Sequence, residues 1–104
     1  MSFTGNENHD IPLEEASEWT KNFRDTVSAT DTIGHYFGKG AIQDILDQDT
    51  CVGIRIYYAL DNSGKKHLII TGVDANQNDL YEGKLAERSA PCPSMCSTLN
   101  PLNS

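Results

Sequence analysis

Residues 51–60 read Cys51-Val52-Gly53-Ile54-Arg55-Ile56-Tyr57-Tyr58-Ala59-Leu60, and residues 66–73 read Lys66-His67-Leu68-Ile69-Ile70-Thr71-Gly72-Val73. Both stretches are rich in β-branched and aromatic residues and alternate in polarity, the pattern of paired strands. Between them, Asp61-Asn62-Ser63-Gly64-Lys65 fits a three-residue hairpin loop, a type I turn followed by Gly64 in the left-handed conformation as a bulge. Such a loop sets Asp61 opposite Lys65. The register then follows: Tyr58 opposes Leu68, Ile56 opposes Ile70 and Ile54 opposes Gly72.

That register sorts the side chains onto two faces. One carries Val52, Ile54, Ile56, Tyr58, Leu60, Leu68 and Ile70, the expected core face. The other carries Arg55, Tyr57, Ala59, His67, Ile69, Thr71 and Val73, which is too apolar a set to be left to solvent alone. A third strand's side chains, the C-terminal tail or another subunit is expected to cover it.

Working outward, Pro12 suits the first position of a helix because its missing N–H costs nothing there. Glu14, Glu15 and Glu18 sit near the positive end of the helix dipole, and Lys21 and Arg24 load the later turns. Leu13, Ala16, Trp19, Thr20, Phe23 and Val27 recur at helical spacing, so an amphipathic helix over 12–27 is predicted, with Trp19 and Phe23 in the core. Residues 33–37 suit a short extended piece. Ala41, Ile42, Ile45 and Leu46 then give the buried stripe of a second, short helix over 40–48. Beyond Val73, the run Asp74 to Asp79 is a dense turn signal, and Leu80-Tyr81 with Leu85 suits a short third strand.

The predicted architecture is α+β: two amphipathic helices packed on one face of a small antiparallel sheet built on the hairpin. Residues 1–11 read as a flexible leader, 12–88 as a single domain, and 89–104 as an irregular tail holding three of the four prolines.

Composition limits what such a domain does. At 104 residues there is room for one ordinary domain, and a hydrophobic content of 38% is enough for a core. The net charge of −7 repels phosphate backbones, so no nucleic-acid partner is expected. The acidity is concentrated: residues 1–50 hold ten acids and three bases, whereas 51–104 hold five of each. No apolar run approaches the roughly 20 residues of a membrane span, so no membrane partner is expected either. The first residues lack the basic start and apolar middle of a secretory signal, and Ser2 does not suit N-myristoylation. A cytoplasmic location is the expectation, with thiols largely reduced.

Several motifs bear on chemistry. Cys92 and Cys96 stand in a C-x₃-C spacing between prolines, which suits a zinc-binding pair, a disulfide or redox-responsive pair, or two free thiols. A zinc site would need two more ligands, Cys51 and one of His9, His35 or His67; otherwise Cys51 is a small core residue and no cofactor is expected. Asp74-x-Asn76-x-Asn78-Asp79 begins like a calcium loop. It then breaks at Asp79, where glycine is needed, and at Leu85, where glutamate is needed. Gly34-x₃-Gly38-Lys39-Gly40 is a residue short of a phosphate loop and lacks the following Ser or Thr. Arg55, Tyr57, His67, Ile69 and Thr71 share one sheet face, a polar-rimmed aromatic patch suited to a small anion or a partner peptide. No nucleophile, base and orienting group stand together in the sequence, so the reading leans away from an enzyme.

Phe37-Gly38-Lys39 with Ile42 and Ile45, the strand 51–58, Val73-Asp74-Ala75-Asn76 with Asn78-Asp79, and Pro91-Cys92-Pro93 with Cys96 together resemble a family of small uncharacterised bacterial proteins of similar length. The resemblance runs over residues 12–96 and includes the CPxxC-like tail, here Cys92-Pro93-Ser94-Met95-Cys96. It implies an autonomous domain and carries no activity with it. Its members have Gly where this chain has Gln77. The function expected is therefore a non-enzymatic binding or protein-interaction domain, self-associating through its sheet or joining another protein; the alternative is a zinc or redox-responsive protein centred on Cys92 and Cys96.

Overall fold

The structure is a computed structural model that describes residues 2–104. It holds two helices, α1 (Leu13–Arg24) and α2 (Lys39–Leu46), and five strands: β1 (Gly34–Tyr36), β2 (Cys51–Leu60), β3 (Lys66–Asp74), β4 (Leu85–Ala86) and β5 (Ala90–Cys92). The class is α+β. The strands form two antiparallel sheets, β1-β5 and β2-β3-β4, where one sheet was expected. The chain divides into two compact units, one of Met1–Glu7 with Phe37–Ser89 and one of Asn8–Tyr36 with Ala90–Ser104.

The first unit is organised by the hairpin. Asp61 donates its N–H to Lys65 O at 2.9 Å, Gly64 N–H returns to Asp61 O at 2.9 Å, and Gly64 takes a φ of +85°. The Asp61 carboxylate adds bonds from Ser63 N, Ser63 Oγ and Lys65 N, all within 3.0 Å, which fills the turn's open donors. The pairs Tyr58–Leu68, Ile56–Ile70 and Ile54–Gly72 follow, with a bulge between Cys51 and Gly53 where the strand ends. On the far side of β3, Ile70 pairs with Ala86 and Thr71 with Leu85. Leu80, expected within the third strand, instead donates its N–H to Gly72 O at 2.8 Å, and Asp79 bridges Val73.

Two residues of the stretch expected as a flexible leader, residues 1–11, contact this unit. Phe3 N–H donates to Ala75 O, and Gly5, at φ +85°, lies against Val52, where a Cβ would come within 2.8 Å of the carbonyl oxygen. Only glycine fits there.

Burial departs from the expected face. Ile45 of α2, Ile70 and Val73 are the buried apolar residues among those described, and Thr71 is buried with them. On the face expected to be core, Ile54 is 39% exposed, Ile56 49%, Leu60 70% and Tyr58 94%. Lengths explain this. Eight helical residues span about 12 Å, whereas a ten-residue strand runs about 33 Å, so α2 reaches only part of the sheet. The single helix of this unit covers the Ile70 end and leaves the loop half of β2 bare.

Gln48, just past α2, locks the helix to the strands. Its Nε2 donates to Ile45 O at 2.9 Å, and its Oε1 accepts Lys84 N–H at 2.7 Å. Gly72 and Gly83 make room for it: a Cβ on Gly72 would meet Gln48 Nε2 at 2.9 Å, and one on Gly83 would collide with Gln48 Oε1.

In the second unit, α1 starts one residue later than expected, with Pro12 at the N-cap, and ends at Arg24 short of the expected 27. Thr26 and Val27 donate to carbonyls three residues back, a tightened last turn that ends the helix. The tail expected to be irregular supplies β5, which pairs with β1 through Gly34–Cys92, His35–Pro91 and Tyr36–Ala90. Arg24 forks its guanidinium onto Leu102 O at 2.7 Å and Ser104 O at 2.6 Å. Trp19 and Phe23, expected in the core, are more than two-fifths exposed and line an open groove with Thr20, Arg24, Ile33 and Leu102. One helix and a ribbon of three-residue strands are too little to enclose an indole ring.

With so few buried side chains, each one matters. Ile45→Ala, at a residue 1% exposed, is expected to lower unfolding stability by about 2–5 kcal/mol in a urea titration, while Leu99→Ala, on the exposed tail, changes it negligibly. Equal effects would mean that Ile45 is not the centre of the core.

Candidate functional site

Strand alternation places Arg55 and Tyr57 on the same face of β2, and the turn at 74–79 brings Asp79 to them. Asp74 builds that turn: its Oδ1 accepts Asn76 N at 2.9 Å and Asn78 N at 3.0 Å, and its N–H donates to Asn78 O at 3.0 Å. Gln77 sits at φ +71°, the left-handed region that glycine occupies more cheaply. The run that starts like a calcium loop is thus a turn whose side chains bond its own backbone.

Asp79 uses both oxygens. Oδ1 takes a charge-assisted bond from Arg55 Nη1, and Oδ2 accepts the Tyr57 hydroxyl. Arg55 also directs Nη1 and Nη2 toward Gln77 O at 3.4 Å. The bond from Tyr57, then the Arg55 guanidinium, hold the Asp79 carboxyl below its ordinary value. The same bond to Asp79 raises the Tyr57 hydroxyl above its ordinary value, because ionisation would set two anions against each other. Arg55 is likewise raised, chiefly by Asp79. This is a closed arrangement: the carboxylate is committed to two donors and is not poised as a base.

His67 lies elsewhere on the same face, opposite Ala59 near the loop. Its Nε2 is 2.9 Å from Asp61 Oδ2 and its Nδ1 is 2.6 Å from Glu87 Oε1. A neutral ring has one N–H and serves one of these carboxylates, whereas the imidazolium serves both. Asp61 is held well below the ordinary carboxylate range, first by the Ser63 hydroxyl, then by His67 and the Lys65 N–H.

The five residues expected to form one patch therefore divide. Arg55 and Tyr57 meet at Asp79, and His67 joins Asp61 and Glu87. Ile69 is half-buried between them in the register, and Thr71 is buried with its hydroxyl on Gly72 O at 3.2 Å. Thr71 is out of reach of a ligand on the surface. Asp79 and Glu87, which organise the two clusters, carry little signal in the sequence: Asp79 is an acid inside a turn run, and Glu87 lies in no motif.

Cys92 and Cys96 form a disulfide with Cα atoms 4.7 Å apart, closing the turn after β5, where Met95 N–H also returns to Pro91 O at 2.9 Å. In this state neither sulfur is a thiolate, so the pair offers no zinc ligand. Cys51 belongs to the other unit, with its thiol directed at Gly53 O at 3.2 Å. Among the described residues, no group of three or more His, Cys, Asp or Glu could hold a metal ion. No helix among them is long and apolar enough to cross a membrane.

The most open feature is the bare half of β2. Ile54, Ile56, Tyr58 and Leu60 stand in line on one face, and β2 is the terminal strand of its sheet. Comparison of the chain with protein-family models, curated proteins and solved structures gives no match.

The carboxylate clamp has a pH signature. Because the folded-state pKa of Asp79 is depressed, its contribution is present above the unfolded value of about 3.9 and is lost as pH falls through the lower folded value. Urea midpoints of wild type and Asp79→Asn are expected to differ by a constant margin at neutral pH, and to converge as pH falls below about 4. A margin that stays constant into acid would show that Asp79 acts through shape and not through charge.

Proposed function

We propose that this chain is a non-enzymatic protein-interaction module that binds its partner through the β2–β3–β4 sheet. The observation that carries this reading is the line of apolar side chains at Ile54, Ile56, Tyr58 and Leu60, exposed on a strand with one open edge. Contiguous apolar surface on a small domain marks a site of association, and an open strand edge supplies main-chain donors and acceptors beside it. The contact moves from the face that carries Arg55, Tyr57 and His67, whose polar groups are occupied by Asp79, Asp61 and Glu87, to the opposite face. A small anion at Arg55 would have to displace Asp79. The reading is compatible with an acidic protein of the small bacterial family that the sequence resembles, although the Cys92–Cys96 disulfide departs from the reduced thiols expected of a cytoplasmic location.

The immobilised chain is expected to retain a stoichiometric protein partner, a second copy included, and Ile56→Lys is expected to weaken that retention at least about tenfold by placing a charge in the apolar line. Retention unchanged in the variant would remove the sheet face from the reading.

The Cys92–Cys96 disulfide favours a second reading, a redox-responsive tail. Reduction would free β5 and the following turn from a covalent closure worth about 2 kcal/mol for so short a loop. Titration of unfolded, unreduced protein is expected to find one reactive thiol, Cys51, and three after reduction. Three thiols before reduction would end this reading and reopen the metal-binding one.

A further inference from the structure

The segment after β5 is held at both ends. At its base, Ile33 N–H donates to Cys92 O at 2.7 Å, extending the β1–β5 ladder, and the Cys92–Cys96 disulfide closes the turn that follows. Directly after that turn the chain folds back on itself. Asn103 Nδ2 donates to Ser97 O and Thr98 O at 3.3 Å, and Asn100 Nδ2 donates to Thr98 O at 2.9 Å. Asn100 Oδ1 accepts Leu102 N–H at 2.8 Å, and Asn103 Oδ1 accepts Asn100 N–H at 2.8 Å. These bonds make residues 97–104 a self-bonded turn. At the far end Arg24 of α1 grips it, with Nη1 on Leu102 O and Nη2 on Ser104 O. The Leu102 side chain then forms one wall of the groove that Trp19, Phe23 and Ile33 also line.

We propose that residues 97–104 are a redox-controlled strap: the Cys92–Cys96 disulfide keeps them docked on α1, and reduction releases them, taking Leu102 away from Trp19 and Phe23. The proposal rests on the redox reading above and names what the redox state governs. Chain entropy couples the two. With the disulfide closed, residues 92–96 are fixed whether or not the strap is docked, so docking orders only the self-bonded turn. With it open, docking must also order the residues between the two sulfurs. Closing a loop of that length is worth a factor of about 30 in the docking equilibrium. The attachment it acts on is a weak one: its hydrogen bonds are exposed to solvent and Leu102 is 46% exposed in its seat.

Access favours exchange at one sulfur. Cys96 is exposed and Cys92 half-buried, so an incoming thiolate reaches Cys96 Sγ first. A small dithiol supplies the two electrons. Its thiolate attacks Cys96 Sγ, the Sγ–Sγ bond breaks, and Cys92 leaves as a thiolate that takes up a proton. The second thiol of the reductant then attacks the mixed disulfide, releasing Cys96 as a thiol and the reductant as a cyclic disulfide.

Backbone amide NMR relaxation of the full chain, before and after dithiothreitol, reads the strap directly. Without reductant the amides of Leu102, Asn103 and Ser104 are expected to be as ordered as those of α1. With it their order parameters fall below about 0.6 while α1 stays rigid. Trp19, the sole tryptophan, reports the same event from the groove: acrylamide quenches its fluorescence more strongly once Leu102 leaves. A chain carrying Cys92→Ser and Cys96→Ser is expected to show the released strap without reductant and to ignore its addition. Arg24→Gln, with the disulfide intact and circular dichroism unaltered, also releases the strap, because the fork onto Leu102 and Ser104 is lost. Strap amides that stay ordered after reduction overturn the proposal. So do strap amides already mobile while the disulfide is closed, or an Arg24→Gln chain whose strap remains docked. If β5 alone loosens on reduction, the redox reading survives and only the strap fails; three reactive thiols before reduction end both.

Discussion

A single main-chain bond, from Asp61 N–H to Lys65 O, sets the parity on which the first unit depends. A shift of one residue would exchange the faces of every side chain on the strand and every edge-directed amide. The bond holds because the loop is saturated: Asp61 Oδ1 accepts Ser63 and Lys65, while Gly64 supplies the positive φ that closes the turn. Arg55 and Tyr57 then fall on the face that Asp79 reaches, and Ile54, Ile56, Tyr58 and Leu60 fall on the other. Clamp, core and open edge share this one origin.

What was legible in the sequence was local. The hairpin, its register and the existence of both helices follow from spacing and turn chemistry, which act over a few residues. Long-range placement was not legible. No pattern at Leu85-Ala86 distinguishes it from Leu80-Tyr81 as the third strand; the choice is made by Gln48, whose carboxamide holds Lys84 and excludes any side chain at Gly72 or Gly83. The strand in the tail was hidden for a similar reason, since Pro91 reads as a breaker yet is tolerated in a two-stranded ribbon. Alternation identified the two faces of the hairpin but not which is covered, because coverage is set by how far the eight residues of α2 reach.

The candidate site shows the same limit. Arg55 and Tyr57 stood out as a polar edge to an apolar face, but the partner that neutralises them comes from more than twenty residues away. Asp79 had a visible neighbourhood, an Asn- and Asp-rich turn, but nothing in that run pairs it with Arg55 and Tyr57. Gln77 is the informative residue in that turn. It holds a left-handed conformation that glycine would take with less strain, and its carbonyl faces the Arg55 guanidinium. A turn that accepts strain at one residue to deliver a carboxylate two residues later is positioned by the ion pair as much as it positions it.

The distribution of charge gives the open edge its meaning. A long apolar edge strand on a neutral protein invites indiscriminate stacking, because any exposed edge pairs with any other. Here ten of the fifteen acids lie in residues 1–50, outside the hairpin, and Arg55, the one charge on β2, is engaged by Asp79. The Cys51–Gly53 bulge and Gly5 bound the open stretch of β2 at one end, and the charged loop of Asp61 and Lys65 bounds it at the other. Between those ends lie the seven residues 54–60, whose alternate main-chain groups point away from β3. A net charge of −7 on each chain opposes the indiscriminate stacking that such an edge otherwise invites, so solubility and an open edge coexist in one small fold.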